Sequence, residues 1–186
     1  MLMKITEPTL LLNKDIYLRN IEDMAAKAKR HNLTFRPHFK THQSHEIGRW
    51  FREYGVDKIT VSSLKMAEYF AEDHWNDITV AFPANILEIE RINRLAHKIQ
   101  LNLIVESLEV AELLQRELKN TIGAFLTVDV GYHRTGIASH DYSKMDSILQ
   151  FVDRTDQLDF KGCLTHAGHS YSAKGLDEIR AVHETS

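Results

Sequence analysis

Short apolar runs that read as strands alternate with amphipathic runs that read as helices along all 186 residues, and this rhythm limits the available folds more than any other feature. The opening helix covers about 14–31, where Ile16, Ile21, Met24, Ala25 and Ala28 form an apolar stripe at helical spacing. Strand-like runs follow at 33–40, 58–62, 78–82, 100–105, 122–130 and 158–165. Helices are expected near 45–54, 64–73, 87–98, 107–119 and 142–154, with a last one from about Gly175. Gly55 closes one of them, Pro83 ends a strand and Ser107 caps a helix. Regular alternation of this kind indicates an α/β fold with a parallel sheet and helical crossovers. No G-x-G-x-x-G follows the first strand, which disfavours a dinucleotide-binding sheet. Six βα units in a row favour a TIM-type (β/α)8 barrel over an open sheet. A full barrel has eight strands and typically about 250 residues. We therefore expect residues 1–186 to form one truncated barrel domain of about six βα units.

Charge and composition narrow the partners. The net charge of -3 points to neither nucleic acid nor an anionic membrane. No apolar stretch approaches the roughly 20 residues that span a bilayer, and the apolar run before Asn13 is too short for a signal peptide. A lone cysteine, Cys163, has no internal disulfide partner, which favours a reducing, cytoplasmic setting. It lies within the sixth strand, where a buried inert thiol is expected.

In such a barrel, functional side chains stand at the C-terminal ends of the strands. The six predicted ends carry His38 and Lys40; Ser62 and Ser63; Pro83; Glu106; Asp129 with Arg134 beyond it; and His166. Strand interiors are apolar and the ends ionisable, as an active-site face requires. Three histidine-bearing groups lie near these ends: His38, His42 and His45; Tyr132, His133 and Arg134; His166 and His169. Along 33–40, alternation puts Phe35, Pro37 and Phe39 on one face and Arg36, His38 and Lys40 on the other. Crowding three basic groups on a buried face favours the neutral lysine, which is the nucleophilic form. A phosphate-bearing aldehyde would also neutralise that face. The histidines at 38, 42 and 45 do not have the spacing of a helical metal pair. Asp129 is expected to pair with Arg134 or to act as a base. Tyr171 reads as a packed aromatic or as a proton donor.

Three stretches together resemble one family. Arg36-Pro-His-Phe-Lys-Thr-His42 is similar to the cofactor-lysine motif of the D-threonine aldolase and D-serine dehydratase family. These are fold type III pyridoxal-phosphate enzymes with an alanine-racemase-type N-terminal barrel. Val128-Asp-Val-Gly-Tyr-His-Arg-Thr-Gly136 resembles the family's strand-five motif, and Leu164-Thr-His-Ala-Gly-His-Ser-Tyr171 its strand-six motif. One departure is Gln43, where a lysine would be expected after His42.

The resemblance implies a pyridoxal-phosphate lyase acting on β-hydroxy D-amino acids through a Schiff base on Lys40. It implies that Arg134 approaches the phenolic oxygen of the cofactor ring and His166 lies against the ring, while His38 and Tyr171 line the substrate side. The candidate catalytic residues are thus Lys40, His38 and Tyr171, and the candidate cofactor-binding residues Lys40, Arg134 and His166. A divalent metal is expected in the full-length family, with its ligands in a β-rich C-terminal domain outside this chain; the last barrel strands are expected to be missing too. The full-length protein is expected to be a homodimer. Three other readings stay open: a non-catalytic pyridoxal-phosphate-binding remnant, an amino-acid racemase of the same fold, and a metal-dependent barrel hydrolase.

Overall fold

The computed structural model describes residues 5–186. Helix α1 (Lys14–Arg30) begins at Asn13, whose side chain accepts the Ile16 N–H, and ends with Lys27, Lys29 and Arg30 against the helix's negative pole. Helix α2 (His45–Glu53) precedes strand β1 (Ile59–Val61), and α3 (Leu64–Glu72) precedes β2 (Asp77–Pro83). Then come α4 (Ile89–Ala96), β3 (Gln100–Val105), α5 (Leu108–Glu117) and β4 (Ile122–Asp129). The two-residue β5 (Ile137–Ala138) is followed by α6 (Tyr142–Val152), β6 (Leu158–Thr165) and α7 (Leu176–Thr185). Ser44, Ser63 and Ser107 each accept a backbone N–H at the start of α2, α3 and α5, so three helices have the same side-chain start signal.

The described strands form one six-stranded sheet in which every pairing is parallel. Strands β1 to β4 lie side by side in chain order; β6 pairs with β4 along its length, and β5 touches only the end of β4, Val128 opposite Ile137. This is the sequential arc of a parallel barrel, with helices packed on its outer side. Ile78, Leu101, Leu103, Ile122 and Leu126 are fully buried beneath that layer, against Phe70, Ile92, Ala111 and Leu114. Each such side chain contributes about 1.5–3 kcal/mol by leaving water.

Six strands are present, but not the six expected. The segment 33–40 is no strand: it makes a single bridge, His38 with Thr60, in which the Thr60 N–H donates to the Pro37 carbonyl at 2.8 Å. Pro37 has no N–H to continue the ladder. The His38 ring then accepts the Lys40 N–H at 3.3 Å and bends the chain into a 3-10 turn at Phe39–Thr41. In exchange, β5 appears where the 131–136 turn returns to β4. Cys163 also departs from expectation and is exposed, because β6 borders the sheet and most of its residues remain open to solvent.

The inner face of the arc is polar at its N-terminal end. Asp77 accepts from Arg36 at 2.8 Å, from Lys58 at 3.1 Å and from the buried Asn102 amide at 2.8 Å. Burial raises the Asp77 carboxyl's proton affinity, but these three partners outweigh it and hold the group below the usual carboxylate range. Gly123 makes room for Asn102: a Cβ there would sit 2.0 Å from Asn102 Oδ1. This network is a floor, at the end of the barrel where polar order serves stability rather than catalysis.

Candidate active site

Arg36 is tied to this floor, so it does not crowd Lys40 as the alternation of 33–40 suggests. Lys40 itself is exposed, at the opposite, C-terminal mouth of the arc. The apolar half of that reading holds at Phe39. It is 0% exposed and is boxed by Phe51, Phe70 and Trp75 with ring centroids 4.9–5.1 Å away. The backbone on either side of this ring is therefore fixed, and Lys40 projects from it. Of the neighbouring histidines, His42 stacks over Phe51 and lies 4.5 Å from the Phe39 ring, while His45 stacks on Tyr69. Both have structural surroundings; His38 alone of the three turns to the mouth.

His38 is held neutral. Burial, then the charges of Lys40 and His166, bring its proton affinity down to about 4. His166, at the end of β6, is lowered by burial and then by Arg134 and Lys40. The charges of Lys40, Arg134 and His166 thus act at one mouth beside His38, although these residues come from the segment before β1, the turn after β4 and the end of β6. Tyr171 stands at the rim, 76% exposed, edge-on to the His166 ring with the centroids 5.8 Å apart; it is not packed into the core.

The turn carrying Arg134 is anchored at Asp129. That carboxylate accepts the His133 and Gly131 backbone N–H groups, both at 3.0 Å, and contacts the His133 ring at 2.9 Å. The His133 amide foremost, with the Gly131 amide and the His133 ring, keeps Asp129 ionised below the ordinary range. The expected Asp129–Arg134 pair does not form, because the tight turn points Asp129 back into its own backbone and leaves Arg134 exposed toward the site. Tyr132 lies against Gly168 and stacks on His169, joining this turn to the one after β6.

Two polar residues that sequence reasoning left without a role stand at the mouth. Glu106 follows the last β3 residue and Thr127 lies near the end of β4, one position past the Val105–Leu126 register pair. Glu106 Oε1, Thr127 Oγ1 and His166 Nε2 are all buried without a hydrogen-bond partner. An unpartnered buried polar atom costs about 1–3 kcal/mol, so three of them at one mouth suit a polar ligand that satisfies them. Counting alternate residues up β3 from the inward Asn102 would have marked Glu106 as inward too. Among the described residues no group of three or more His, Cys, Asp or Glu is placed to hold a metal ion, and no helix is long and apolar enough to cross a membrane.

The neutral state of His38 and His42 has a measurable cost in acid. Burial leads the lowering of both to about 4, whereas an unfolded histidine titrates near 6.5. Between those values the unfolded chain binds more protons, so stability is complete above about pH 6.5 and falls as pH drops toward 4. After allowance for the solvent each ring still sees, the loss is about 2 kcal/mol per histidine. Urea unfolding followed by circular dichroism at pH 7 and pH 4.5 should show it, and His42→Leu should remove close to half of the difference.

Residues 12–185 match the family model described as alanine racemase, N-terminal domain. The chain is 28% identical over 190 residues to D-threo-3-hydroxyaspartate dehydratase of Delftia sp. (strain HT23), covering 98% of this chain and 49% of that protein. It is 27% identical to D-serine dehydratase of Dictyostelium discoideum, covering 95% of this chain and 48% of that one. The solved structure of the Delftia dehydratase superposes with a TM-score of 0.85 over 92% of this chain and 46% of that chain. D-threonine aldolase from Filomicrobium marinum, at 22% identity, shares the fold with a TM-score of 0.90 over 97% of this chain and 49% of its own. The chain spans about half the length of the curated relatives it matches.

Proposed function

Because this chain belongs to the alanine racemase N-terminal domain family, we propose that its mouth holds pyridoxal phosphate at Lys40 and serves a lyase acting on β-hydroxy D-amino acids. The observation that carries the reading is the meeting of Lys40, His38, His166 and Arg134 at the C-terminal end of a parallel arc. The dehydratases that the chain resembles are named for D-serine and for a D-hydroxyaspartate, both β-hydroxy D-amino acids.

The residues fit the cofactor. Lys40, exposed at the mouth, would hold it covalently. Arg134 would bring a fixed positive charge to the cofactor, and His166 would line the place of its ring. Bound there, the cofactor supplies an electron sink for charge developing at the substrate's α-carbon. Every other role falls to side chains. His38 is unprotonated at neutral pH and so is able to take up a proton on its ring. Tyr171 lines the open rim, where a substrate side chain enters. The divalent metal proposed for the full-length protein takes its ligands from outside these residues.

The test is reductive trapping. Purified protein mixed with pyridoxal phosphate and borohydride should carry the label on Lys40, located by peptide mapping. D-threonine or D-serine should protect Lys40 from labelling, and the L-enantiomers should not. Absence of label on Lys40 would sink the cofactor assignment; equal protection by both enantiomers would sink the substrate class.

A further inference from the structure

One ring joins the turn after β4 to the turn after β6. Tyr132 stands two residues before Arg134, on a turn held at its start by the two amides that Asp129 accepts. Its ring lies on the backbone of the buried Gly168, in the 3-10 turn Gly168–Ser172 that follows His166. A Cβ at Gly168 would sit 2.5 Å from Tyr132 Cε1 and 2.7 Å from Cζ, so only glycine leaves room for the ring. From that seat Tyr132 meets both histidines of the second turn. The His166 ring is edge-on to it, with centroids 5.5 Å apart and planes at 77°, and the His169 ring stacks on it at 6.2 Å. His166 needs such a neighbour. Its Nε2 is buried without a hydrogen-bond partner, so that nitrogen does not fix the ring. The other aromatic side chain against it, Tyr171, is mostly exposed. Edge-to-face packing is directional and orients a ring where a hydrogen bond does not.

We propose that Tyr132 is a positioning residue for His166: seated on Gly168, its ring clamps the two turns together and sets the angle of the imidazole at the mouth. Arg134 and His166 come from different strands, and the Tyr132 ring is a direct contact between the turns that carry them. Asp129 orders the first turn, and the clamp passes that order to the second. A site works best when its groups are locked by the packing around them. The contacts are made by the ring, so phenylalanine serves the clamp as well as tyrosine. What the clamp does for the cofactor rests on the cofactor reading; the clamp itself does not.

Two readouts without cofactor test the clamp. Tyr132→Ala should move the His166 ring-proton resonances, assigned by their loss in His166→Gln. It should also speed amide hydrogen exchange about tenfold across 166–172 as well as 131–136. Tyr132→Phe should keep the exchange within about twofold. Gly168→Ala should reproduce the Tyr132→Ala changes, because its Cβ displaces the ring, yet added to Tyr132→Ala it should alter exchange by less than about twofold. With cofactor, Tyr132→Ala should weaken pyridoxal-phosphate binding about tenfold, but by less than about twofold in a His166→Ala background. Unmoved His166 resonances in Tyr132→Ala, or faster exchange confined to 131–136, would overturn the clamp. So would a Gly168→Ala effect that persists in full without the Tyr132 ring, or additive binding losses in Tyr132→Ala with His166→Ala. If the unsubstituted chain takes up no cofactor, the cofactor reading fails and the two cofactor-free readouts still decide the clamp.

Discussion

Replacing Phe39 by alanine should lower the unfolding free energy by about 4 kcal/mol, in the range for emptying a fully buried aromatic site. The ring has no exposed surface and touches Phe51, Phe70, Trp75 and His42 at centroid distances of 4.5–5.1 Å. Apart from His42, beside the same 3-10 turn, those neighbours come from α2, α3 and the turn after α3, so collapse into the space left behind would move three elements. Edge-to-face ring pairs add to the transfer term that is lost. The substitution also releases the residue next to Lys40, so trapping of pyridoxal phosphate on Lys40 should fall more steeply than helix content. Urea denaturation gives the first number and the yield of borohydride-labelled peptide the second. A loss under about 1.5 kcal/mol would mean that the aromatic box does not hold the lysine turn.

Gly136→Ala should cost about 3 kcal/mol and disable the turn that carries Arg134. Gly136 has φ +106°, a backbone conformation that L side chains rarely adopt. A Cβ there would also sit 2.7 Å from Asp129 N and 2.9 Å from Val128 C. Both are main-chain atoms of β4, so no rotamer change relieves the contact; either β5 lifts away or the turn reopens. Urea unfolding measures the cost. In folded protein, faster amide exchange at Ile137 and Ala138 would show β5 detaching from β4. Retained stability with unchanged exchange would show that the turn tolerates a side chain and that its glycine is not demanded by the close approach.

The sequence shows much of this fold because its signals are local. Ser44, Ser63 and Ser107 mark helix starts through hydrogen bonds three residues long, and the apolar runs at 78–82 and 100–105 become strands whose residues are mostly buried. The segment 33–40 reads as a strand by alternation, but pairing depends on amide donors, and Pro37 withholds one where the ladder would continue. The pairings of charged groups were less legible. Arg36 looks like a neighbour of Lys40 along the chain, while its partner Asp77 lies 41 residues on, across two strands. Asp129 and Arg134 look like a pair by charge, but the turn gives Asp129 nearer amides. Glu106 was legible as a strand end but Thr127 was not: what singles them out together is unmet hydrogen bonding, which exists only once neighbouring strands have buried them.

The order of strands has a consequence in time. From β1 to β4 each strand lies beside the one made just before it, so the sheet can grow by short-range additions as the chain emerges. The site does not follow that schedule. Lys40 lies on one border of the arc and His166 at the end of the other, and they sense each other's charge only when β6 has docked on β4. Long-range meetings of this kind come late in folding. The lysine is among the first functional groups to be synthesised and among the last to acquire its surroundings, so the proposed capture of cofactor on Lys40 would time the docking of β6 on β4.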